Sequence, residues 1–113
     1  MSQKSAYLHY VSAGSTGNTA PIPVDEVICF RADDACTKVV TGSGELRIHT
    51  PLSELQPMLD PRMFRQAQRS TVVNLSRVES MTWTDHDHLV IKFKELDKTI
   101  TVCQPYCTQF QEQ

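Results

Sequence analysis

Thr37-Lys38-Val39-Val40-Thr41-Gly42-Ser43-Gly44-Glu45-Leu46-Arg47-Ile48-His49 reads as two strands folded about a tight turn. Thr37 to Thr41 is β-branched apart from Lys38, and such side chains fit a pleated surface. Gly42-Ser43-Gly44 is a hairpin signal, because glycine takes backbone angles that other residues avoid. Beyond it the chain alternates, with Leu46 and Ile48 on one face and Glu45, Arg47 and His49 on the other. The pattern predicts an antiparallel hairpin with one buried face and one wet face.

The same signals continue on both sides. Toward the N-terminus, Val24 to Phe30 ends in four consecutive apolar residues, Val27-Ile28-Cys29-Phe30, which suits a strand buried on both faces. Ala32-Asp33-Asp34-Ala35 is a turn before the quoted hairpin. Tyr7 to Val11 is a short strand-like run, and Ser12 to Pro21, rich in Gly, Ser, Thr and Asn, is a loop that could be a long hairpin connection.

Toward the C-terminus, Thr50 can cap a helix whose first residue is Pro51. Leu52, Leu55 and Leu59 fall at helical spacing, and Pro57 shortens or bends that helix because it lacks an amide proton. Val78 to Thr84, His88 to Phe93 and Thr99 to Cys103 read as strands, with Leu89, Ile91, Phe93, Ile100 and Val102 inward. Lys94 to Asp97 is a turn, and Gln104 to Gln113 is a polar tail that either closes as a short helix or frays. Strands that arrive every eight to twelve residues or so, joined by turns, predict an antiparallel meander or small sandwich rather than a parallel α/β sheet.

At 113 residues the chain suits one domain, 1–113, and we find no repeat, linker or second domain. A hydrophobic share of 40% is ordinary for a soluble protein. No apolar run approaches the roughly 18 residues of a membrane span, and Met1 to Ser5 does not lead into a signal peptide. The expectation is a cytoplasmic chain with no membrane partner. Cys29, Cys36, Cys103 and Cys107 contain no Cys-x-x-Cys unit and read as free thiols.

The sequence has no phosphate-binding glycine loop, no Gly-x-Ser-x-Gly elbow and no cofactor motif, so we expect neither an enzyme nor a cofactor. Asp85-His86-Asp87-His88 is the sharpest polar cluster. It reads as a solvated turn, with a metal site as the alternative, since His86 and His88 share a face if the stretch is a strand. The net charge of −2 counts against non-specific nucleic-acid binding. It does not exclude specific binding, which depends on where the cations lie.

Phe64-Arg65-Gln66-Ala67-Gln68-Arg69-Ser70-Thr71-Val72-Val73-Asn74-Leu75 adds a different kind of signal. It resembles the signature of the LytTR (LytR/AlgR-type) DNA-binding domain of bacterial response regulators. The match lies in Phe64, Arg65, Arg69, Ser70, Val72, Val73, Asn74 and Leu75. Ile22 to Phe30 looks like that family's opening strand, Leu52-Ser53-Glu54-Leu55 like its helix, and Val78 to Met81 like the strand after its motif. The likeness covers about residues 7–110.

The resemblance implies a mainly β fold, a compact antiparallel domain of stacked small sheets with one or two short helices. It also implies double-stranded DNA as partner. Loops between strands enter successive major grooves, two copies bind paired direct repeats as a dimer on DNA, and a receiver or sensor domain lies upstream in the full-length protein. Carried over by position, three loops matter: Asp33-Asp34-Ala35-Cys36, Gln68-Arg69-Ser70 and Cys103-Gln104. Arg69 is the foremost candidate for a DNA contact, with Gln104, Gln68, Lys38 and the Ala35 position beside it.

Arg can bond guanine O6 and N7 together, and Gln suits adenine N6 and N7. Ser70, Arg65, Arg77, Lys38, Arg47 and Lys92 are candidates for phosphate contacts. Val72, Val73 and Leu75 read as core, and Asn74 as a residue that satisfies backbone groups at a turn. Gln68 stands where the family usually has His, and Gln104 where it often has Arg. These departures and the acidic balance keep open a second reading, a LytTR-like protein-interaction module that has lost DNA binding. A third is a small β enzyme or metal-binding domain using Asp85 to His88.

Overall fold

The structure is a computed structural model that describes residues 7–13, 20–85 and 88–110. Among the described residues ten strands appear in chain order: β1 (Tyr10–Ala13), β2 (Ala20–Pro23), β3 (Val27–Asp33), β4 (Cys36–Thr41), β5 (Gly44–Ile48), β6 (Phe64–Gln68), β7 (Thr71–Asn74), β8 (Val78–Asp85), β9 (His88–Phe93) and β10 (Leu96–Val102). Two one-turn helices, α1 (Leu52–Leu55) and α2 (Gln104–Cys107), complete the regular structure together with short 3-10 turns. All strand pairs are antiparallel, as the turn-rich sequence predicts.

A five-stranded sheet in the order β5-β4-β3-β7-β6 forms the middle layer. One face packs on α1 and the β1-β2 hairpin through Phe30, Val39, Phe64 and Val72 against Leu52, Leu55, Leu59 and Val11. The Phe30 and Phe64 rings lie 5.5 Å apart, centroid to centroid, in a tilted pair. The other face packs on the three-stranded sheet β10-β9-β8 through Val40 and Val73 against Leu89, Ile91, Phe93 and Val102.

Central β3 explains why Val27-Ile28-Cys29-Phe30 carries no polar residue. Val27 and Phe30 enter the first core, and Ile28 and Cys29 enter the second. The pairing of β3 with β4 shifts between Val27 and Cys29, and this bulge turns two successive side chains into one layer. Burial pushes the Cys29 thiol up to about 11, against the opposing pull of the Arg31 charge. Cys29 therefore stays a neutral thiol near pH 7. Cys107 is buried too, its thiol directed at the Val102 carbonyl, whereas Cys36 is half-buried and Cys103 exposed. We predict that a maleimide labels Cys36 and Cys103 in the native domain, and Cys29 and Cys107 only after denaturation. Rapid native labelling of Cys29, read by peptide mass mapping, would contradict this packing.

The structure corrects several local expectations. Pro51, not Thr50, is the residue before the first helical turn, and its carbonyl accepts the Glu54 and Leu55 amides. Thr50 instead offers its carbonyl to the Thr37 hydroxyl at 2.6 Å, which ties the helix entry to β4. The stretch from Ile22 to Phe30 is not one strand. Ile22 and Pro23 end β2, Val24 to Glu26 form a 3-10 turn, and β3 begins at Val27. β10 begins at Leu96 rather than Thr99, because a register shift between Leu96 and Thr99 absorbs the polar residues expected as a turn. Leu46 is 43% exposed although it shares a face with buried Ile48, because β5 is the sheet edge and the hairpin above it covers only part of that face.

The connection read as a loop over Ser12 to Pro21 joins a hairpin, but Ser12 and Ala13 end β1 and Ala20 and Pro21 begin β2, so the connection is shorter than expected; residues 14–19 lie outside the described residues. Both turns of the quoted β region are two-residue connections. Asp34 takes φ 55°, a left-handed value that Asp adopts more readily than most residues. Gly44 takes φ 137°, which favours glycine.

Candidate nucleic-acid interface

Antiparallel pairing decides which turns share an end of the sheet. β3 runs toward Asp33, and β7 starts beside it at Thr71, so the β3-β4 turn and the β6-β7 turn are neighbours. The Ala32 amide donates to the Ser70 carbonyl at 2.8 Å and fastens one turn to the other. The connection from β10 to α2 reaches the same place, where the Cys103 amide donates to the Ala67 carbonyl at 3.0 Å. Three turns far apart in sequence, around Asp34-Ala35, Arg69-Ser70 and Cys103-Gln104, thus meet at one end of the domain.

Their side chains are presented to solvent. Ala35, Arg69, Ser70 and Gln104 are all exposed. Arg69 gives its carbonyl to Gln66 at 3.2 Å, and its guanidinium has no acidic partner among the described residues. Gln68 is half-buried and occupied: its amide donates to the Thr101 carbonyl at 2.8 Å, and its oxygen accepts the Thr71 hydroxyl at 3.1 Å.

Behind the turns the strand register builds a row. Arg47 pairs with Lys38, Lys38 with Arg31, Arg31 with Thr71, and Thr71 with Gln68. Directly opposed residues on neighbouring strands sit about 5 Å apart, so Arg47, Lys38 and Arg31 form a ridge of cations across three strands. Such crowding is tolerated where water screens it and acids stand close. Arg47 meets Asp33 at 2.6 Å and Lys38 meets Glu45 at 3.6 Å. Arg31 has no ion pair among the described residues and is exposed. It was missed as a candidate in the sequence because it follows the buried run directly; the signal available was its position three residues before the turn.

The remaining cationic candidates stand elsewhere. Arg65 bonds the Pro61 carbonyl at the other end of β6. Arg77 holds the Asp25 carbonyl at 2.8 Å and meets Glu95 at 3.6 Å, beside the Gly42 turn at the opposite end of the sheet. Lys92 lies on the outer face of β9, between Ser80 and Thr99. In the polar turn, His88 faces Asp85 at 2.7 Å, and His86 and Asp87 lie outside the described residues. Among the described residues no three metal-ligating side chains converge, and no helix is long and apolar enough to cross a membrane.

Comparison with known families gives a direct match: the family model for the LytTr DNA-binding domain matches residues 17–113. The chain belongs to the LytTR family. Among solved structures, this LytTR chain is similar to the LytTr DNA-binding domain of a protein described as a methyl-accepting/DNA response regulator from Bacillus cereus. The TM-score is 0.80 at 21% identity, over 91% of this chain and 94% of that one. At that identity the likeness concerns the fold, and it agrees with the antiparallel β domain expected from the strand pattern and with the LytTR architecture that the resemblance implied. LytTR is a DNA-binding family rather than an enzyme family, and its domains are typical of response regulators.

Proposed function

We propose that this LytTR domain binds double-stranded DNA sequence-specifically, as the DNA-binding part of a bacterial transcription regulator. The observation that carries the reading is the convergence of three exposed turns at one end of the sheet, backed by the Arg31-Lys38-Arg47 ridge. Arg69 is the base reader, its guanidinium without an acidic partner among the described residues. Gln104 and the Ala35 turn flank it in the grooves, and Ser70 donates to a phosphate. Lys38, Arg47 and Arg31 neutralise phosphates, which fixes pose without reading sequence. Two copies bind paired direct repeats, and a receiver or sensor domain upstream supplies control.

The test is a salt-dependent titration against a random DNA library, with the bound pool sequenced. Enrichment of a paired repeat, with affinity falling as salt rises, supports the proposal. No enrichment and no binding at low salt rejects it. That outcome favours the second reading, a protein-interaction module, for which the commitment of Arg47 to Asp33 and of Lys38 to Glu45 is the supporting observation.

Arg31 provides a sharper check on the phosphate ridge. Replacing it with glutamine weakens binding to all sequences alike, leaves base preference unchanged, and lowers the salt slope by about 1. An unchanged slope would remove Arg31 from the interface.

A further inference from the structure

We infer that Gln68 is a positioning residue that clamps the second and third DNA-facing turns into one reading head, rather than a reader of bases itself; this rests on the proposed DNA-binding function. Gln68 sits where the second and third turns are joined, and the backbone bond between Ala32 and Ser70 ties the first turn to the second. It ends β6 just before Arg69, its amide nitrogen holds the Thr101 carbonyl of β10 at 2.8 Å, and its oxygen takes the Thr71 hydroxyl at 3.1 Å. Thr71 is buried and pairs with Arg31, three residues before the first turn.

The backbone follows the same plan. The pairing of β6 with β7 shifts between Gln66 and Gln68, and at this bulge the Ala67 carbonyl accepts the Cys103 amide from the third turn. A bulge is a common device for ending regular pairing and re-aiming a strand. Here it lets one edge strand bond β7 on one side and the β10-α2 connection on the other. The Ala67 methyl is fully buried, so the bulge is anchored in the core.

A glutamine that reads adenine needs both ends of its amide free for the base. Each end of the Gln68 amide already holds a protein partner, and turning that amide to present both ends to a base edge gives up these bonds. What the clamp does is set the separation and angle between Arg69, one residue after it, and Gln104, three residues after Thr101. Two readers on separate turns recognise a sequence jointly only when that geometry is held, because each added freedom must be frozen on binding.

The experiment compares the domain with Gln68→Ala and Gln68→His variants. A neutral imidazole carries one donor and one acceptor and can bridge the same two partners. Hydrogen exchange is followed at the Cys103 and Ala32 amides, and base preference is read from the sequenced bound pool. The base pairs served by Arg69 and Gln104 are first identified from Arg69→Ala and Gln104→Ala. The clamp predicts that Gln68→Ala speeds Cys103 amide exchange at least tenfold, relaxes preference at both sets of base pairs together, and that Gln68→His restores both properties. Should Gln68→Ala fail to fold, Thr71→Val removes one arm of the clamp with little change of shape and is expected to give a smaller change in the same direction.

Loss of preference at a single base pair, distinct from both sets, with exchange unchanged, overturns the inference and makes Gln68 a reader. Unchanged exchange in the free Gln68→Ala domain overturns the clamp whether or not DNA binds. Faster exchange in a domain that binds no DNA upholds the clamp as a structural joint and rejects the proposed function instead.

Discussion

Replacing Asn74 with leucine is expected to lower the melting temperature by roughly 10–25 °C, the largest stability loss we predict from a single polar side chain in this domain. Asn74 is fully buried at the end of β7. Its amide donates to the Val27 carbonyl at 2.8 Å, at the start of central β3. Its oxygen accepts the Ser76 amide at 2.9 Å and the Ser76 hydroxyl at 2.8 Å, which caps the 3-10 turn that leads into β8. Leucine is close in size, so no large cavity forms. The loss comes from stranded backbone groups, at about 1–3 kcal/mol for each buried group left unpaired. The Val27 carbonyl is deep and the Ser76 amide lies near the surface, at the low end of that range, so together they cost roughly 2–4 kcal/mol, and a domain of about this length melts about 4–8 °C lower per kcal/mol. Asn74→Asp keeps the acceptor but loses the donor and buries a charge, so it should be at least as damaging near neutral pH. A drop smaller than about 3 °C by calorimetry would show that water or backbone movement replaces these bonds.

The second large effect concerns recognition. On the proposed reading, Arg69→Ala weakens binding to the preferred site by about 1–3 kcal/mol, roughly five- to 150-fold, and relaxes preference at one base pair. Because Arg69 is exposed and has no ion pair among the described residues, its loss should leave the melting temperature almost unchanged. Arg69→Lys separates charge from geometry. Lysine keeps the positive charge but lacks the planar fork that bonds guanine at two points. Binding to unrelated DNA should then persist while discrimination falls. Equal affinity and unchanged preference in the alanine variant would remove Arg69 from the interface.

Much of the fold was readable locally, because the deciding signals are local. The alternation of Leu89, Ile91 and Phe93, and the two-residue turn at Gly42-Ser43, depend on neighbours a few residues away, and the structure has both. Asn74 was read as a residue satisfying backbone groups at a turn, and its bonds to Ser76 and Val27 are of that kind. The exposure of Leu46 was not readable, since it depends on how far a separate hairpin reaches over an edge strand. Nor was the division of the cations. Arg47 and Lys38 come to the turn-bearing end and Arg77 goes to the opposite one through strand order, which no local pattern carries. Gln68 looked like a reader beside Arg69, because a sequence does not show that both ends of its amide are already taken.

The central place of β3 also bears on the time before the domain exists. Val27-Ile28-Cys29-Phe30 leaves the ribosome before β7, the partner that closes its second edge, has been made. Until Val72 and Val73 arrive, the emerging chain carries an uncharged, proline-free apolar run with one edge unpaired, the kind of segment that templates cross-β association. Glu26 stands at one end of that run and Arg31 at the other. Natural sequences flank unavoidable hydrophobic strands with charges of this kind. The arginine that extends the cationic ridge of the finished domain thus also flanks its central apolar strand while that strand waits for its neighbour.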